Sequence, residues 1–237
     1  MTNIYITGAK RSPIGKFLGS LSSLSAPQLG KVVIKQVISD SKLDVDQVDE
    51  VIFGQVLTAG SGQNTARQSA ILAGIPFEKS ALTVNQVCGS GLRSVSLGAQ
   101  SIITNQSEVV IAGGQESMSN ATHTANLRNG LKMGDGKFKD SMIIDGLWCA
   151  MNDYHMGTTA ENVAEKFKIS KLKQDQFATA SQNKAENAQK SKKFSDEIVP
   201  IIIPTKKEEI IIKHDEFPRH GTTLEKVQTL KPVFKKD

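Results

Sequence analysis

Cysteine, aromatic residues and long apolar runs are all scarce in this 237-residue chain, and each scarcity removes a class of protein. Two cysteines, Cys88 and Cys149, are too few for a disulfide framework, and neither has the CxxC spacing or neighbouring ligand pair of a zinc site. One Trp, two Tyr and nine Phe, 5% of the chain, are too sparse to interleave with lysine as a base-stacking groove requires. No apolar run approaches the roughly 18 residues of a membrane span. The first residues also lack the charged n-region and long h-region of a secretory signal. The expectation is a soluble cytoplasmic protein, held in a reducing compartment, with no nucleic acid and no membrane among its partners.

What is present supports a folded core. The net charge is only +5, and 38% of residues are hydrophobic, so the chain can bury enough apolar surface to fold. The basic excess lies in residues 160–237, where lysines such as Lys166, Lys168, Lys171 and Lys173 alternate with acids in the manner of a solvated helix surface.

Hydrophobic spacing predicts strands at 4–7, 49–56, 81–87 and 108–112, and helices at 26–39, 65–73 and 91–103. That alternation predicts a mostly parallel sheet covered on both faces. Around residue 115 the composition turns to Ser, Asn, Gly, Met and Asp over some forty residues, too long for an ordinary loop and so a functional excursion or inserted subdomain. Helices at 158–167 and 171–190 follow, then a hairpin at 198–204 and 210–213.

The chemistry concentrates in residues 84–95, VNQVCGSGLRSV. A cysteine at a strand-to-helix junction meets unpaired helix amides and the positive end of the helix dipole, which favour its thiolate. Gly89 and Gly91 beside Cys88 remove bulk from its approach. Free cysteine is also among the most buried residue types, so a packed, inert thiol competes with this reading. Cys149, in the apolar stretch 147–150, is expected to be packed, with Trp148 as an apolar anchor.

Residues 84–95 resemble the nucleophile motif of the thiolases. RSPIGKF at 11–17, GQNTARQ at 62–68, AGGQESMS at 112–119 and YHMG at 154–157 resemble thiolase landmarks in thiolase order, so the similarity runs the length of the chain. The resemblance implies a thiolase-type layered α/β fold, represented by its N-terminal half with an inserted loop domain and with the C-terminal half absent. Residues 1–115 would form the N-terminal α/β domain without its closing strands, and 116–237 the inserted, CoA-binding loop domain.

It further implies acetyl-CoA C-acetyltransferase chemistry through an acyl-cysteine at Cys88, with acetyl-CoA and acetoacetyl-CoA as substrates and no cofactor beyond CoA thioesters. Leu147, His155 and Met156 would line the pantetheine side, and Arg219 and Lys226 the nucleotide end. Phe177 stands where some relatives carry a tyrosine associated with potassium, so no metal is expected. The family's GHP-type, NEAF and CxGGG segments do not occur in these residues. The chain is therefore expected to be catalytically incomplete, partnered by the missing C-terminal thiolase half and homo-oligomeric in the complete enzyme. A non-catalytic acyl-CoA-binding remnant and a ketoacyl-synthase-like condensing enzyme are the alternatives.

Overall fold

The computed structural model describes residues 3–235, which form two compact units. One holds the described residues up to Gly146 together with Glu197–His214; the other holds Leu147–Asp196 and the residues from Asp215 onward.

The first unit is organised by β1 (Glu50–Gly54), whose Val51, Ile52 and Phe53 are buried. Parallel neighbours β2 (Ser80–Val84) and β3 (Val110–Gly114) flank it in the order β2-β1-β3. Covered on both sides, β1 reads as a continuous apolar run rather than an alternating one. Val51 and Phe53 join Ile111 in a core with Ile34 and Ile38 of α1 (Ala26–Asp40) and Ala66, Ala70 and Ala73 of α2 (Thr65–Ala73). The other face of the sheet carries α3 (Ser90–Ile103), where a Cβ on Gly98 would press on Val110 and Ala112.

Local sequence explains the starts of these helices. Ser25 and Gln28 make a reciprocal capping box on α1, and Ala26, Gly30, Ile34 and Ile38 follow at four-residue intervals to give the buried stripe. Asn64 accepts from the Arg67 amide to start α2.

Residues 4–7, expected as a strand, lie outside the sheet. Among the described residues neither sheet edge offers this segment a partner, and Tyr5 and Ile6 stand 77% and 82% exposed. The expected hairpin does form, between Ile201–Pro204 and Glu209–Ile212, and Arg11 ties its approach to the amino-terminal segment through Glu197 and Val199.

Asp49 locks the amino ends of the strands. Its Oδ2 accepts from the Glu108 and Val109 amides at 2.8 and 3.0 Å, and these bonds hold its carboxyl below the ordinary range. A depressed folded pKa means that the stabilisation is complete above about pH 4, where the unfolded side chain is ionised, and is lost as pH falls through the folded value. Asp49→Ala is expected to cost about 1 kcal/mol at neutral pH, discounted for the partial exposure of the group, and to flatten the acid limb of the unfolding curve. Urea titrations at neutral and acid pH check this; an equal deficit at both would contradict it.

In the second unit, a hairpin pairs Trp148 with His155 and Cys149 with Tyr154, and leads directly into α4 (Met156–Lys166). Next comes α5 (Lys171–Lys190), capped by Ser170. Its polar residues are not all solvated. Gln182 accepts from the Arg219 amide, Glu186 from the Gly221 amide, and Gln189 donates to the Asp215 carbonyl, so one helical stripe holds the segment that leads to α6 (Leu224–Gln228).

Candidate active site

Parallel register brings Gly54, Val84 and Gly114 level with one another, so the segments that follow all three strands leave from one carboxyl edge. Such edges are where open α/β sheets bind ligands. Cys88 lies there, exposed, in the turn between β2 and α3. The turn is tight, with Val87 at φ +49° and the Gly89 and Ser90 amides bonded back to the Gln86 and Val87 carbonyls. No side chain caps α3, and a Cβ on Gly91 would meet open space.

Glycine backbone lets α3 approach this edge. A Cβ on Gly54 would sit 2.5 Å from Ser90 Cβ, and one on Gly114 would sit 3.4 Å from Gly91 Cα. Ser94 then bolts α3 to β3 by donating to the Gly113 carbonyl at 2.8 Å.

Behind the turn, residues that the sequence marked only as landmarks prove to be braces. Buried Gln115 donates to Gln55 Oε1 and the Thr65 carbonyl and accepts from Ser69. Glu116 accepts from the Val56 and Leu57 amides at 2.8 and 3.1 Å, fixing the segment after β1. Burial pushes the Glu116 carboxyl up, against the opposing pull of those two amides. Ser117 and Asn120 reach the Leu24 carbonyl, and Ser119 accepts from the Leu18 amide, so residues 18–24 and 117–120 are stitched together. The sequence position of Gln115 and Glu116 directly after a Gly-Gly strand end does not by itself announce these partners.

The CoA-side candidates all fall in the second unit, in two groups. Leu147 immediately precedes the Trp148–His155 hairpin pair and Met156 immediately follows it. His155 is the N-cap of α4, its Nδ1 accepting from the Gly157 amide at 2.9 Å. That bond places the ring proton on Nε2, leaving Nε2 as the donor. The imidazole stacks on Phe234, ring centroids 5.0 Å apart, a residue that sequence reasoning did not single out. A side chain on Gly157 would collide with the Phe234 ring.

Arg219 and Lys226 belong to the second group. Arg219 is exposed, and Lys226 Nζ reaches the Gly221 carbonyl at 3.3 Å. Among the described residues no hydrogen bond links this group to His155.

Two expectations about neighbouring side chains are corrected. Cys149 is partly exposed rather than packed. Its thiol accepts from Asn152 Nδ2 at 3.2 Å, and that bond, with backbone bonds from the same turn, holds the thiol below its ordinary range. Trp148 is tied by its indole N–H to Asp153 at 3.0 Å, so it serves the hairpin as a hydrogen-bond donor.

Among the described residues no group of three or more His, Cys, Asp or Glu converges to hold a metal ion, and no helix is long and apolar enough to cross a membrane.

Comparison with known proteins agrees over the whole chain. Residues 4–237 match the family model described as Thiolase, N-terminal domain. The acetyl-CoA acetyltransferase of Paracoccus denitrificans is 55% identical over 237 residues, covering 100% of this chain and 61% of that protein. The cytosolic acetyl-CoA acetyltransferase of Rattus norvegicus is 49% identical, covering 99% of this chain and 59% of its own length. A crystal structure of the Bacillus anthracis acetyl-CoA acetyltransferase superposes with a TM-score of 0.94 at 36% identity, over 98% of this chain and 59% of that one. The chain thus spans about three fifths of the length of these relatives. A Cys-bearing turn at the carboxyl edge of a parallel sheet, a matching family model and the close superposition converge on one conclusion: the chain belongs to the thiolase family.

Proposed function

We propose that this chain supplies the acyl-accepting part of an acetyl-CoA C-acetyltransferase, with Cys88 as nucleophile. The observation that carries the reading is the exposed Cys88 thiol in the β2–α3 turn, beside a helix start that no side chain caps. The Cys88 thiolate attacks the carbonyl carbon of acetyl-CoA, the carbon–sulfur bond to CoA breaks, and CoA leaves as a thiolate that takes up the proton the Cys88 thiol gave up. A second acetyl-CoA, deprotonated at its methyl carbon, attacks the acetyl-cysteine and expels the Cys88 thiolate as acetoacetyl-CoA forms. Thiolysis runs the same steps backwards. A thiolate suits both directions because it attacks well and leaves well. Backbone amides at the helix start, including that of Cys88, are the donors assigned on this reading to the tetrahedral oxyanion.

Residues up to 115 carry the nucleophile on this reading, and 116–237 carry the CoA side. Leu147, His155 and Met156 take the pantetheine arm, while Arg219 and Lys226 take the nucleotide end. The polypeptide that relatives possess beyond the matched region is the partner this chain works with, in a homo-oligomeric enzyme of the cytoplasm.

Incubation with acetyl-CoA followed by peptide mass mapping tests the reading: acetyl on the Cys88 peptide is expected, and acetyl confined to Cys149 would sink it. His155 divides into two testable parts. His155→Ala is expected to lose both the α4 cap, worth about 1 kcal/mol, and affinity for acetyl-CoA. His155→Asn keeps a capping oxygen, so it should recover the melting temperature while its affinity stays low. Calorimetry and ligand titration read the two separately, and full affinity in His155→Asn would remove the imidazole from the CoA site.

A further inference from the structure

We propose that Ser90 is a positioning residue for Cys88, acting through the turn that presents the thiol; this rests on the reading of Cys88 as acyl acceptor. The Ser90 side chain is only 4% exposed, and its hydroxyl is spent on the two residues before Cys88. Its Oγ accepts from the Gln86 amide at 2.8 Å and donates to the Val87 carbonyl at 2.6 Å. Val87 needs such help. It is β-branched and lies in the left-handed region, which such residues rarely enter and which costs free energy wherever surrounding structure enforces it.

Asn85 adds the remaining constraint, its Oδ1 accepting from the Val87 amide at 2.9 Å. Both polar groups of the Val87 backbone are therefore held by side chains, one from each side of Cys88. The steric counterpart lies across the sheet edge. A Cβ on Gly54 would stand 2.5 Å from Ser90 Cβ, 2.6 Å from its carbonyl carbon and 2.8 Å from the Gly91 nitrogen. Bare backbone on β1 is thus the seat on which Ser90 rests, and Ser90 transfers that fixed position to the turn.

Ser90→Ala keeps the Cβ in its seat and deletes only the hydroxyl. The full 237-residue chain is treated with acetyl-CoA or, in parallel, with iodoacetamide across a pH series, and Cys88 and Cys149 are quantified by peptide mapping. Iodoacetamide across the pH series reports thiol access and thiolate formation, whereas acetyl transfer also requires the sulfur to be aimed at a bound thioester.

The expected result is a fall of about tenfold in acetylation of Cys88, the equivalent of one to two hydrogen bonds, with iodoacetamide labelling of both cysteines changed less than about twofold. Asn85→Ala alters an exposed residue and one bond. It is expected to give a fall of about threefold, and it carries the test if Ser90→Ala does not fold.

Unchanged acetylation in the variants, with the wild type acetylated at Cys88, overturns the proposal alone. So does a parallel fall in acetylation and alkylation, which marks a merely structural role. Failure of the wild type to acetylate Cys88 overturns the acceptor reading and this proposal with it.

Discussion

Cys88→Ala is expected to abolish acetyl-enzyme formation and to lower acetoacetyl-CoA thiolysis by about 10⁴-fold or more, measured with the chain complemented by the remaining portion of a full-length relative. The size follows from the route. Without the thiol the acyl group has no covalent resting place, and what survives is whatever binding and oxyanion contacts contribute to direct attack. Cys149 is the control that gives the experiment its force, because Asn152 favours its thiolate and makes it the competing nucleophile. Cys149→Ala is expected to leave turnover within about twofold, since a lowered thiol pKa without an aimed substrate supplies reactivity but no catalysis. Turnover retained in Cys88→Ala and lost in Cys149→Ala would move the nucleophile to the other unit.

The 237 residues by themselves are expected to turn over acetoacetyl-CoA at least about 10³-fold more slowly than the complemented mixture. Forming the enolate needs a general base, and three carboxylates at the sheet in the unit that carries Cys88 already have partners. Asp49 holds the Glu108 and Val109 amides, Glu116 holds those of Val56 and Leu57, and Glu50 accepts from Ser101. A positioned base contributes about 10²–10⁴-fold, and an oxyanion donor about 10²–10³-fold. The two act as one catalytic unit, so their product overstates the deficit. Acetylation of Cys88 asks for less and should persist. Equal turnover with and without the added portion would mean that a base exists within these residues.

Much of the architecture was legible in apolar spacing. The helix at 26–39, the uninterrupted Val51–Phe53 run and the isoleucine hairpin appear in the structure as that spacing implies, whereas the buried stripe of α1 runs through Ala26, Gly30, Ile34 and Ile38 rather than through Leu29, Val32, Val33 and Val37, the face the apolar spacing suggested. The failure at residues 4–7 is instructive. A strand pattern states which side chains tolerate extension, whereas a strand also needs a neighbour for its amides and carbonyls, and neighbours are supplied by tertiary structure. The position of Cys88 at a strand-to-helix junction was equally readable.

Ser90, Gln115, Glu116 and Phe234 were not readable, because each acts through a contact between residues distant in sequence or through a buried polar bond that no periodicity announces. Cys149 was misjudged for a related reason. Its neighbours Leu147 and Ala150 suggested packing, while the hairpin turn brought Asn152 back onto the sulfur.

The parallel ladder sets a timetable for synthesis. Glu50 pairs with Ser80 on one side and Val110 on the other, so the central strand acquires its first edge some thirty residues after it is made and its second some sixty residues after. At about 5–20 residues per second, Val51, Ile52 and Phe53 wait roughly 3–12 s for the second partner. Helix formation and local collapse are complete far sooner, so the interval is governed by elongation rather than by any conformational barrier. A nascent chain stopped short of Gly114 therefore exposes half of its central ladder, and β3 is the earliest point at which that strand can be satisfied on both sides.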